Sequence, residues 1–132
     1  MGSGLKLLLD THALIWWLAG DAALSLRARD AIEDEANSVA VSAASAMEVA
    51  TKFRIGKLSG AAVLAQDFEA IVAAQGFTEL PVSVQHARLA GGMNISHKDP
   101  FDRFLIAQAQ ADGMVLVSNE ALFDTFGVRR LW

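Results

Sequence analysis

The 132-residue chain contains no cysteine, which excludes disulfides and thiolate metal ligands from the outset. No apolar run approaches the roughly 18 residues of a membrane span, and the longest candidate, 13–19, is far too short. No charged-then-apolar leader opens the chain, and the initial MGSG reads as a cloning remnant. Bases are scarce: 11 against 15 acids, a net charge of −4. Bulk electrostatics therefore work mildly against a nucleic-acid partner, which would need local bases and a metal to bind. The expected setting is the cytoplasm, with no membrane role.

Apolar residues are abundant, at 53% of the chain with a mean hydropathy of +0.33. That suffices for one domain over 1–132 with a well-packed core. The surplus implies an apolar surface that a partner covers. Short β-type runs alternate with longer helical stretches. LKLLLD (5–10), SVAVS (38–42) and GMVLVS (113–118) read as strands, VRRLW (128–132) as a weaker fourth, and FTELPVS as a short one that Pro81 ends. Helical composition fills 11–19, 22–36, 43–55, 60–75, 83–91 and 100–112. In the 60–75 stretch Val63, Leu64, Phe68, Ile71 and Val72 recur at helical spacing, and Gly76 stops it. Apolar strands alternating with helices predict an α/β fold: a three-layer α/β/α sandwich with a central parallel sheet. Sites in such sheets lie beyond the carboxyl ends of the strands.

The acids fall there. Asp10 ends the first strand, Glu48 lies in the first turns of the helix after SVAVS, and Glu120 follows the GMVLVS strand. Strand-to-helix turns of a parallel sheet emerge on one edge, so these three share a rim. The helix start holding Asp99 and Asp102 must bend to the same rim. Each acid also has a purely local role. Asp10 suits the N-cap of THALIWWLA, Glu48 suits the third position of a capping box with Ser45, and Glu120 suits a cap with Ser118. DPFD is close to an ideal helix start, with Asp99 as N-cap, Pro100 at the first position and Asp102 near the positive end of the dipole. Taken together, three or four carboxylates on one rim repel, and a divalent cation removes that cost. Oxygen ligands without cysteine or a histidine pair favour Mg²⁺ or Mn²⁺ over zinc. A cation holding a water suits attack on a phosphodiester.

LLLDTHALIWWLAGD, VSAASAMEVATKFRIGKL and HKDPFDRFLIAQA with GMVLVSNEALFDTFGV resemble the PIN domain, in particular the VapC-type toxins of bacterial toxin–antitoxin pairs. The resemblance runs in order over 7–132. It implies a Mg²⁺-dependent endoribonuclease on a parallel sheet, with Mn²⁺ able to substitute. Its catalytic acids fall on Asp10, Glu48, Asp102 and Glu120, with Asp10 and Asp102 as metal ligands and Asp99 as a cap behind them. Glu120 departs from the family's usual aspartate by one methylene. The resemblance further implies RNA as substrate, a homodimer, and a cognate antitoxin whose tail covers the site.

Other residues admit two readings. Arg103 is a candidate phosphate contact or a salt-bridged surface arginine. Ser118 is a candidate substrate contact. No base is placed to activate it as a nucleophile, so a cap or a contact to water suits it better. His12 and His97 adjoin acids and either orient carboxylates or bond locally at helix starts; His86 reads as structural. Lys52, Arg54 and Lys57 form a short basic strip facing RNA or solvent. Of the adjacent Trp16 and Trp17, one is expected in the core and the other on a partner surface. Against the nuclease stand two alternatives: a catalytically weak PIN-like module binding RNA or a protein, and a phosphoryl-receiver or phosphatase fold. The latter lacks a second acid beside Asp10 and a lysine near the last strand.

Overall fold

The computed structural model describes residues 4–58 and 61–132. The start of the chain and the first residue of the expected 60–75 helix lie outside them. In chain order the elements are β1 (Lys6–Leu9), α1 (Thr11–Ala19), α2 (Leu26–Glu33), β2 (Ser38–Ser42), α3 (Ala43–Arg54), α4 (Ala62–Gln66), α5 (Phe68–Ala74), β3 (Thr78–Leu80), α6 (Val84–Gly92), α7 (Pro100–Ala111), β4 (Val115–Val117) and β5 (Arg130–Leu131). A single 3₁₀ turn, Ala121–Phe126, joins the last two strands. The sheet order is β3-β2-β1-β4-β5, every pairing parallel. Among the described residues no helix is long and apolar enough to cross a membrane.

The three layers follow from the period-two alternation of a strand read against helices on both faces. Leu7 and Leu9 of β1, Val39 and Val41 of β2, and Val115 and Val117 of β4 point to one face. There they pack with Leu14, Ala28, Val49, Leu64, Phe68 and Val72. Leu8, Ala40 and Leu116, one register step away, point to the other and pack with Leu105, Ile106, Ala109 and Phe123. Central strands must be apolar on both faces, and LLL and VLV are.

Two helical expectations change. The 22–36 stretch holds a helix only over Leu26–Glu33. Ser25 caps it by accepting from the Ala28 N–H at 3.0 Å, while the Asp21 and Asp34 carboxylates tie turns on either side through the N–H groups of Ala23 and Ala36. The 60–75 stretch is broken at Asp67, whose backbone leaves the helical region at φ −123°, ψ 36°. Aspartate is a weak helix former because its short side chain competes for backbone groups. Leu64, Phe68 and Val72 stay buried across the break, whereas Val63, expected on the same apolar face, is exposed. Trp16 and Trp17 are both partly exposed and both pack against the first cluster, Trp16 beside Trp132 and Trp17 beside Phe77, so the expected division into one core ring and one surface ring does not appear.

Candidate active site

The end of β1 and the N-terminus of α1 meet at Asp10. Its N–H donates to Val117 O of β4 at 3.1 Å, and its Oδ1 accepts from Ala13 N at 2.7 Å as the N-cap of α1. The cap and rim roles thus coincide in one side chain. Asp10 is only 6% exposed. Burial raises its carboxyl pKa, the Ser118 hydroxyl, Ala13 N–H and His12 oppose that rise, and the charge of Glu120 adds to it.

Asp102 reaches the same edge without any bend. Only three residues join the end of α7 to β4, so α7 runs back along the sheet and its start lies at the carboxyl ends of the strands. Asp99 caps it, with Oδ1 accepting from Phe101 N at 2.9 Å and Asp102 N at 3.2 Å. Asp102 Oδ2 lies 2.8 Å from His97 Nε2, and its side chain is 20% exposed. Burial pushes its carboxyl up to about 6; the charges of Asp99 and Glu120 add to the rise and His97 opposes it. Glu120 itself is exposed, and its charge acts on both aspartates.

Glu48, 6% exposed in α3, is held differently from expectation. The cap of α3 is Ser42, which accepts from Ala44 N at 2.9 Å, so there is no capping box with Ser45. The Thr11 hydroxyl donates to Glu48 Oε1 at 2.5 Å and lies 3.0 Å from Ser45 Oγ, while the Lys52 ammonium donates to Oε2 at 2.5 Å. Thr11 follows Asp10 directly, so this bond ties the second acid to the first. Lys52 is therefore not a solvated base of an outward-facing strip. Among the described residues no three histidine, aspartate or glutamate side chains gather closely enough to hold a metal ion as they stand. Glu48 is turned to its own partners. The donor chemistry nevertheless suits a hard divalent cation: four carboxylates, two of them buried, and no sulfur.

The two expected substrate contacts, Arg103 and Ser118, have partners within the chain. The Arg103 guanidinium donates through Nε to Ala90 O (2.8 Å), through Nη1 to Ile95 O (3.4 Å) and His97 O (2.8 Å), and through Nη2 to Met93 O (2.7 Å). With its donors spent on carbonyls it clamps the loop that carries His97, leaving little for a phosphate. Ser118 is 0% exposed; its Oγ accepts from Glu120 N at 3.1 Å and its hydroxyl serves Asp10. An enclosed hydroxyl holds the acids rather than a substrate. His86 is structural as expected, buried and closing a capping box with Ser83 while its Nε2 lies 3.1 Å from Asp112 Oδ2. The bonds from Thr11 to Ser45 and to Glu48 were not among the expectations. Neither has a local signature, because their partners lie 34 and 37 residues apart along the chain. The Glu48–Lys52 spacing of four was legible and points inward.

The sequence matches the PIN domain over residues 7–128. The chain belongs to the PIN-domain family. PIN domains are nucleases as a family, and the solved structures similar to this one fit that fold. The DNA-bound VapBC of Salmonella typhimurium matches with a TM-score of 0.67 at 19% identity, covering 96% of each chain. VapBC2 of Rickettsia felis, bound to a DNA fragment from the VapBC2 promoter, matches with a TM-score of 0.66 at 14% identity, covering 96% of this chain and 97% of the other. VapBC-1 of nontypeable Haemophilus influenzae matches with a TM-score of 0.61 at 15% identity, covering 96% of each. No curated protein matches the sequence.

Proposed function

We propose that this PIN domain is a Mg²⁺-dependent endoribonuclease, the toxin of a cytoplasmic toxin–antitoxin pair, with Mn²⁺ able to replace Mg²⁺. Asp10 and Asp102 are the residues that hold the cation. When bound, such a cation lowers the pKa of water and offsets charge on the phosphate. Glu48, fixed by Thr11 and linked through it to the Asp10 turn, orients the attacking water. Glu120, exposed at the rim, reaches the site through solvent. In-line hydrolysis of an RNA phosphodiester by water leaves a 5′-phosphate and a 3′-hydroxyl. His97 holds the Asp102 carboxylate and Asp99 its backbone N–H. The VapBC complexes among the similar structures support a cognate antitoxin as partner, and a second copy of the chain belongs to the same reading.

One observation carries the reading. A buried and a partly buried carboxylate from different elements, Asp10 and Asp102, both have raised pKa values, and the charge of a third acid acts on each. Keeping them charged near neutrality costs stability, which a cation offsets. Purified Asp10→Asn and Asp102→Asn proteins, incubated with mixed RNA and Mg²⁺, are expected to lose cleavage by orders of magnitude while remaining folded. Normal cleavage by either variant rules the assignment out. A second reading, a catalytically weak module that binds RNA or a protein, is favoured by the engagement of Glu48 with Lys52 and the lack of three converging ligands among the described residues. RNA retained on a filter by the parent without cleavage in Mg²⁺ would select it.

A further inference from the structure

Of the four rim acids, Glu48 is the one whose two carboxylate oxygens are each bonded by a side-chain donor, Thr11 on Oε1 and Lys52 on Oε2. A lysine one turn beyond a glutamate on a helix is ordinarily a solvated pair of little consequence. Three features separate this pair from that pattern. Its carboxylate is buried, with 8% of the side chain exposed, and the lysine is two-thirds covered. The ammonium also lies in the field of Asp99 and Asp102, which belong to α7 and its cap rather than to α3. Among the described residues, Lys52 is the one lysine or arginine in an ion pair with any of the four rim acids.

We propose that Lys52 is the internal counter-ion of the carboxylate rim, holding Glu48 until a divalent cation displaces it. This rests on the metal-dependent reading of the site. A divalent ion entering between Asp10 and Asp102 repels the ammonium and competes with it for Glu48, so Lys52 lowers the metal affinity. It also keeps a buried glutamate paired when no cation is present, a role in which removing one partner is costly. Lys52 is a positioning residue: it acts through Glu48 and touches no substrate in this account.

The parent protein supplies the first test. Lysine acylation with an N-hydroxysuccinimide ester, read by mass spectrometry, is expected to be slow at Lys52 in EDTA. It should become several-fold faster in Mn²⁺, with the exposed Lys57 and Lys98 as unchanged references. Calorimetric titration with Mn²⁺ supplies the second. Lys52→Met and Lys52→Gln are expected to bind Mn²⁺ about tenfold tighter or more, since a unit charge a few ångströms from the ion is removed. Lys52→Arg, which keeps the charge, should stay within about threefold of the parent. A parent that binds Mn²⁺ alongside Met and Gln variants that bind it equally or more weakly overturns the counter-ion role alone. So does a Lys52 acylation rate that Mn²⁺ leaves unchanged, a result that holds even where the variants do not fold. A parent that takes up no Mn²⁺ overturns the metal reading itself and the displacement with it.

Discussion

Replacing Asp102 by asparagine in the metal-free protein should stabilise it near neutral pH and not in acid. The Asp102 carboxyl is 20% exposed and pushed from 3.8 to about 6, chiefly by burial. A raised carboxyl pKa means that between those values the folded state keeps a proton which the unfolded chain releases. Stability is therefore lost as pH rises from 3.8 to about 6. At about 1.4 kcal/mol per unit, a rise of roughly two units costs the parent about 3 kcal/mol once the pH exceeds 6. Asparagine escapes that cost and keeps the shape. The favourable pull of His97 on the charged form is already contained in that net rise. The variant should thus be about 3 kcal/mol more stable at about pH 7.5, roughly 9–15 °C in melting temperature for a chain of this size. Near the ordinary carboxyl pKa Asp102 is protonated in the folded protein, the parent's penalty has gone and the gap should close. Circular-dichroism melts of both proteins in EDTA at the two pH values read this directly. A variant that melts lower at about pH 7.5, or a gap independent of pH, refutes the argument that burial of a charged Asp102 strains the site. Millimolar Mn²⁺ should raise the melting temperature of the parent and hardly move the variant, because only the parent keeps the ligand.

Asp99→Ala should cost about 1 kcal/mol through loss of the cap on Phe101 and Asp102; calorimetry should find Mn²⁺ affinity little changed, and its disappearance would make Asp99 a ligand. Arg103→Gln should cost about 3 kcal/mol, since four backbone carbonyls lose a charged donor. Denaturant titration checks it, and a variant as stable as the parent but weaker in RNA binding would restore the phosphate role.

What was legible in the sequence is what local chemistry encodes. The alternation of apolar runs and helical stretches predicts the sandwich, and DPFD spells a helix start through one aspartate that caps and one proline that needs no N–H donor. The extent of the helices was less legible. Composition alone extends a helix through 22–36, whereas Ser25 and the turns tied by Asp21 and Asp34 set its true limits. The site was legible in its acids and opaque in their partners. Arg103 has the sequence context of a phosphate ligand, and its actual partners are carbonyls of the last turn of α6 and the loop after it, 6–13 residues earlier, that no pattern marks. Ser118 and Glu120 read as a local cap, and Glu120 N does donate to Ser118 Oγ; the complete burial of that hydroxyl is what no pattern marks.

The cost of the rim also has a different source from the one its composition suggests. Crowded acids imply mutual repulsion, but for both Asp10 and Asp102 the largest cause of the raised pKa is burial. Like charge ranks below the opposing hydrogen bonds: Glu120 is the smallest contribution at Asp10, and at Asp102 Asp99 and then Glu120 follow the His97 bond. The enclosure comes from the fold. Asp10 is wedged where β1 meets β4, and Asp102 sits under His97, whose ring stacks on Phe126 at 5.8 Å and whose loop Arg103 clamps. The glutamate at position 120 consequently matters less than its departure from the usual aspartate implies. A longer, exposed side chain contributes charge to the rim from solvent, while the two aspartates owe their raised pKa values chiefly to their own burial. Burial, supplied by the sheet edge and the loop over α7, is what raises both carboxyls.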